Sequence, residues 1–134
     1  MSATDKRPTD MDGEAKARLL ARWLTDKQAR DVAAMDVEGL CAITEYLVVA
    51  TARSKRQAKA LADHLLQRLG EEHLEYLGME GYAEGEWVLV DANDVIVHIF
   101  QEEQRGFYNI EGLWSEARAL DLAPEEGGAD GAKA

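Results

Sequence analysis

Apolar residues recur along this chain in two rhythms, one helical and one of strands, and short polar clusters separate them. From Glu14, the segment EAKARLLARWLTDKQARD sets Leu20, Trp23, Leu24 and Lys27 at helical spacing with charges opposite, which predicts an amphipathic helix packed through one stripe. DVAAMDVEG then predicts a short strand around 33–37, closed by a turn at Glu38-Gly39. The next run, YLVVAT from Tyr46, is unbroken and β-branched, as suits a strand covered on both faces. Ser54 and Gln57 stand at capping-box spacing and predict a helix start. Ala58, Leu61, Ala62, Leu65, Leu66 and Leu69 continue that helix on one face, with Gly70 placed as its C-terminal cap.

Past this helix, a weak strand around 75–77 precedes GMEGYAEGE. Strands over 87–91 and 94–100 then flank Ala92-Asn93, and so short a connection predicts an antiparallel hairpin. EEQRGFYNIEGLWSEARAL reads as one or two helices, with Asn109 as a candidate N-cap for a restart. The resulting order, α-β-β-α-β-β-β-α, predicts the α/β class, a mixed β-sheet flanked by helices. Residues 1–12 are polar, hold Pro8 and lack periodicity, so a flexible lead is expected there. A flexible acidic tail is expected over 123–134, leaving 13–122 as one domain, which is what 134 residues can build.

Charge narrows the partners. With 26 acidic against 15 basic residues the formal net charge is -11, which repels a phosphate backbone at long range and favours encounter with a basic protein. Direct nonspecific nucleic-acid binding is therefore not expected. The single cysteine, Cys41, excludes an intrachain disulfide and any zinc site needing two thiolates from this chain. The start MSATDKRPTD has no apolar signal core, and no run approaches the roughly 18 apolar residues of a membrane span, so a cytoplasmic protein without a membrane partner is expected.

The stretch WVLVDANDVIVHIF, residues 87–100, is the chemically suggestive one, because Asp91, Asp94 and His98 interrupt an apolar hairpin. Side chains alternate along a strand, so Val88, Val90, Val95, Val97 and Ile99 form one face, read as core. Trp87, Leu89, Ile96, His98 and Phe100 form the other, with Asp91 and Asp94 at the turn end. The two carboxylates could chelate a divalent cation, which takes oxygen ligands, but Asp is also an ordinary turn residue. Asp94 and His98 lie four residues apart on a strand, roughly 13 Å, and so cannot share a metal directly. A semi-buried histidine or a partner-binding surface explains His98 better than catalysis does, since no activating group neighbours it in sequence. His64, Glu71 and Glu72 lack any metalloprotease or EF-hand pattern and read as solvated. Arg53, Lys55 and Arg56 surround a helix start that could hold a phosphate, yet no Gly-rich loop accompanies them. No metal, no cofactor and no catalytic set is therefore assigned, and the residues alone describe an acidic α/β interaction module.

Three blocks carry a resemblance: AMDVEGLCAITEYLVVAT, SKRQAKALADHLLQRL and LGMEGYAEGEWVLVDANDVIVHIFQEEQRGFYNIEGLW. They resemble the ribosomal silencing factor RsfS family, also called Iojap-related proteins. The third is the specific one, with Gly78, Glu80, Gly81, Trp87, Asp91, Asp94, Val95, Val97, His98, Glu103 (with Glu102 beside it), Arg105, Tyr108, Glu111, Leu113 and Trp114 at the family's motif positions. Where the family usually has T-G-x-S, this chain has Thr51-Ala52-Arg53-Ser54. The resemblance implies a nucleotidyltransferase-like single domain without a recognised enzymatic activity. It further implies binding to the large ribosomal subunit through ribosomal protein fourteen, steric blocking of subunit joining, and repression of translation under nutrient limitation. On that reading Trp87 and Tyr108 are candidate anchors of a partner-binding face, and Asp91, Asp94, His98, Glu102 and Glu103 border it. Two other readings compete with it. One is a metal-dependent nucleotidyltransferase-like enzyme using Asp91 and Asp94; the other is a homodimer of the free protein through the hairpin face.

Overall fold

In the computed structural model, which describes residues 11–103, 105 and 117–122, the first apolar stripe becomes helix α1 (Gly13–Asp26). It buries Ala17, Leu20, Ala21, Trp23 and Leu24. Lys27, expected on that stripe, lies beyond the last turn and is exposed. The chain reverses there because Gln28 takes φ 72, its N–H donating to Thr25 O (2.9 Å) while Ala29 N–H reaches Leu24 O (3.0 Å). The buried cation of the stripe is instead Lys16, one turn before Leu20.

Strands β1 (Arg30–Asp36) and β2 (Tyr46–Ala52) run antiparallel, β1 starting three residues earlier than its apolar pattern suggests. All seven β2 residues are buried, because β2 is an interior strand between β1 and β5 (Val95–Gln101), parallel to the latter. The full order is β3-β4-β5-β2-β1-β6, with β3 (Gly78–Glu80) and β4 (Trp87–Asp91) on one side and β6 (Arg118–Ala119) at the far edge. The expected strand at 75–77 is thus displaced three residues to β3, although Leu77 N–H already bonds Asp91 O at 2.7 Å.

Helix α2 (Lys55–Glu71) starts where the capping residues say it should. Ser54 Oγ accepts from Gln57 N–H at 3.0 Å, and Gln57 Oε1 reaches back to Arg53 N–H at 2.6 Å. Its end corrects the sequence reading: Gly70 is inside the helix, and His73, with φ 58, takes the left-handed cap. His73 N–H bonds Gly70 O (3.2 Å) and Leu74 N–H bonds Leu69 O (2.9 Å). Both leucines join the same core, so the reversal falls where Leu74 can fold back onto Leu69.

The helix expected through EARAL is also corrected. Residues 118–119 form β6, pairing antiparallel with Met35 and Asp36 of β1. The open edge of β1 supplies the reason: Leu120 N–H donates to Ala34 O at 2.8 Å, and the Arg118 guanidinium holds Asp36 (3.1 Å) and Glu14 (3.2 Å). Glu102, Glu103 and Arg105 are helical; Asn109 lies outside the described residues.

Both long helices pack on one face of the sheet, against Val48, Ala50, Val88, Val90, Val95, Val97 and Ile99. The other face carries a second cluster, Met35, Val37, Leu47, Val49, Ile96 and Phe100, with Trp87, Leu89 and Cys41 partly buried against it. The two-faced covering expected for β2 follows directly.

Candidate docking face

The β4–β5 hairpin sets the candidate residues, and its register differs from the expected one. A connection through Ala92-Asn93 would place Trp87 opposite His98; the observed pairs are Trp87 with Phe100, Leu89 with His98 and Asp91 with Ile96. Ala92 stays in the ladder, its N–H donating to Val95 O at 2.9 Å, so Asn93 and Asp94 make the turn. Two preferences favour this: Asn93 accepts φ 75, and the Ala92 methyl is buried in the helix-side core. A slip of two residues preserves the assignment of side chains to faces, since their period is two.

At the turn end, both acids act inward. Asp91 Oδ1 accepts from Asn93 N–H at 2.9 Å, closing the turn, and the Asn93 amide bonds Glu75 Oε1 at 2.9 Å. Asp94 Oδ1 meets Lys16 Nζ at 3.0 Å. The Lys16 side chain is only 2% exposed, and its ammonium also donates to Ala92 O (2.6 Å) and Glu75 O (3.3 Å). Three donors meet three acceptors, which is what lets a lysine be buried. Sequence reasoning missed Lys16; its signal was the 16-20-24 spacing with Leu20 and Leu24, hidden by the habit of reading lysine as solvated. Nearby, Glu45 has its carboxyl raised above the usual range, first by burial and then by Glu38, Asp94, Asp12 and Asp36. This end of the sheet is crowded with negative charge. Among the described residues no group of three or more His, Cys, Asp or Glu side chains could hold a metal.

At the open end the arrangement is aromatic. Trp87 and Phe100 lie with ring centroids 4.8 Å apart, and His98 stacks on Phe100 at 5.9 Å with planes 7° apart. Trp87 Nε1–H donates to His98 Nδ1 at 3.0 Å. His98 is buried, and that burial pushes its pKa down to about 4, so the ring is neutral at physiological pH. Ile96 and Phe100 are also buried, which corrects the picture of an open apolar strip: Trp87 and Leu89 are the members of this set that stay partly exposed. Gly81, with φ 80, lets the chain press onto Trp87, for a Cβ there would lie 2.1 Å from Trp87 O.

Of the remaining candidates, Glu102 and Glu103 are exposed just beyond β5, and Tyr108 lies outside the described residues. Arg105 ties this segment to the sheet, donating to Asp31 O at 2.5 Å and to Thr51 Oγ1 at 2.7 Å. The structure therefore brings Trp87, His98 and Phe100 together, and separates them from the Asp91–Asp94 turn at the hairpin's other end.

Comparison with known proteins agrees with this architecture. The family model described as ribosomal silencing factor during starvation matches residues 10–134. Ribosomal silencing factor RsfS of Bacillus subtilis is 35% identical over 112 residues, covering 84% of this chain and 95% of the relative. The RsfS of Zymomonas mobilis is 37% identical over 113 residues, covering 84% and 85%. A crystal structure of a Chromobacterium violaceum protein superposes with a TM-score of 0.76 at 38% identity, covering 78% of this chain and 88% of that one. With a family model spanning residues 10–134 and relatives at 35% and 37% identity covered over most of their length, the chain belongs to the ribosomal silencing factor RsfS family.

Proposed function

We propose that this chain binds the large ribosomal subunit through ribosomal protein fourteen, at the face where the small subunit docks, and represses translation under nutrient limitation by keeping the subunits apart. The observation that carries this reading is the family match over residues 10–134. The chemistry of the chain supports it: a net charge of -11 draws it toward a basic ribosomal protein and away from bare RNA. Trp87 is the anchor, an amphipathic ring that is partly exposed and backed by Phe100. Glu102 and Glu103, both exposed, steer the approach, and Tyr108 is a second aromatic contact. Asp94 and His98 serve the face from within, the first through Lys16 and the second through Trp87. No bond is made or broken in this mechanism; a folded body wedged at the joining face is sufficient, and a cytoplasmic location goes with it.

Cosedimentation with purified large and small subunits, followed by a joining assay, tests the proposal. The chain is expected to travel with large subunits alone and to reduce joined ribosomes in proportion to its concentration. Failure to travel with large subunits overturns it. Trp87→Ala is expected to weaken binding by at least tenfold, as truncation of a central aromatic does; unchanged affinity would remove Trp87 as the anchor.

A further inference from the structure

The bond between Trp87 and His98 is an unusual one for a strand pair. The two residues sit diagonally across β4 and β5, since Trp87 pairs with Phe100 and Leu89 with His98. Diagonal neighbours on one face meet only through long or aromatic side chains. Here the indole Nε1–H donates to His98 Nδ1 at 3.0 Å. A ring nitrogen can accept only when it carries no proton, so His98 is neutral with its hydrogen on Nε2.

His98 has little freedom to leave that position. It is 8% exposed, lies beside Val49 of β2, and stacks on Phe100. On this face the register sets Leu89 and Val49 opposite it, Trp87, Asp91, Leu47 and Thr51 diagonally, and Ile96 and Phe100 beside it on its own strand; Asp91 is the charged one, its carboxylate engaged by Asn93 N–H at 2.9 Å. Cys41 is a titratable group packed on the same cluster, and the Arg105 guanidinium lies on Thr51 Oγ1, two pairs further along β2. Trp87, by contrast, is partly exposed and its indole turns about two side-chain torsions. A fixed acceptor thus adds a directional hold to a ring that also packs on Phe100 with centroids 4.8 Å apart.

We infer that His98 is a positioning residue: its unprotonated Nδ1 holds the Trp87 indole of the free protein in the orientation that meets the partner, so that little ordering is left to be done on binding. The inference rests on the reading of Trp87 as the anchor. It assigns His98 no contact with the partner.

Two variants of the full chain separate positioning from simple packing. His98→Phe fills the ring's place without an acceptor, whereas His98→Gln keeps an acceptor oxygen. Hydrogen exchange of the Trp87 indole N–H, followed by NMR, is expected to quicken about tenfold in His98→Phe, and affinity for purified large subunits to fall by a similar factor, the weight of one hydrogen bond at the upper end of its range. His98→Gln is expected to recover most of both, whatever its melting temperature. In the unaltered protein the slow indole exchange should persist down to pH 5 and disappear as the pH passes through about 4, where burial has moved the histidine's titration. Unchanged indole exchange in His98→Phe overturns the inference. So do equal losses of affinity in both variants that follow their losses of stability, since these mean that the ring only packs. Should the unaltered chain fail to bind large subunits, the proposed function falls, while the exchange measurements still decide whether His98 holds the indole.

Discussion

The two ends of the β4–β5 hairpin handle buried polarity in different ways. At the turn, Lys16 brings a full charge into the interior and neutralises it with Asp94 and two carbonyls, Ala92 O and Glu75 O. At the open end, His98 gives up its charge instead, and its neutral Nδ1 accepts from Trp87. A lysine has three donors and no acceptor, so it can be buried only by finding acceptors. Histidine can lose its proton at modest cost and become an acceptor itself. The turn end is consequently closed and inward-looking, while the open end leaves an oriented ring at the surface.

The strongest way to break the comparison is to remove the charge at the turn. Lys16→Ala leaves Asp94 without its partner and strips a donor from two carbonyls, and loss of one member of a buried pair is worth about 4 kcal/mol. Asp94 keeps some contact with water, its side chain being 27% exposed, which moderates the carboxylate's share. Denaturant unfolding should show the midpoint falling accordingly. A loss below about 1 kcal/mol would mean that the lysine is not the centre of that network.

The second perturbation is pH, and it acts at the other end. The folded-state pKa of His98 is lowered from 6.5 to about 4, so between those values the unfolded chain binds a proton that the folded chain refuses. Its contribution to stability is therefore complete above pH 6.5, shrinks as the pH falls, and is spent near pH 4. Two and a half pKa units correspond to about 3 kcal/mol. Comparing the unaltered chain with His98→Gln isolates this from the carboxylates that titrate nearby: the unaltered chain should lose about 3 kcal/mol more than the variant between pH 7 and pH 4. Parallel stability curves for the two proteins would show that His98 is not buried as a neutral ring.

These two ends were not equally legible in the sequence. Faces of the hairpin could be read because a register slip of two keeps every side chain on its side, so the Val88-Val90-Val95-Val97-Ile99 core survives an error in the turn. The start of α2 could be read because Ser54 and Gln57 are three residues apart and act locally. The spacing of Lys16 with Leu20 and Leu24 put it on the buried stripe, but its three acceptors could not be read, because they come from residues 75, 92 and 94, which only the folded chain brings together. Nor could β6, an Arg-containing pair of residues that becomes a strand by meeting the open edge of β1. Nothing local distinguished His73 from Gly70 as the cap of α2, since the deciding contact is Leu74 returning to Leu69. Strand rise alone already kept Asp94 and His98 apart; what it could not supply is the partner of each, Lys16 for Asp94 and Trp87 for His98.

The smallest effect is expected at Asp91, and it sharpens the division. Among the described residues its carboxylate accepts from Asn93 N–H at 2.9 Å. The amide oxygen of Asp91→Asn can do the same, so stability should change by less than about 0.5 kcal/mol. If the turn end only adds to the negative field seen by a basic partner, the variant should bind large subunits slightly more slowly, with an unchanged dissociation rate and a weaker dependence on salt. Stopped-flow association at two ionic strengths reads this directly. A tenfold faster dissociation would instead place Asp91 in direct contact with the partner, and would extend the docking face from Trp87 along the whole length of the hairpin.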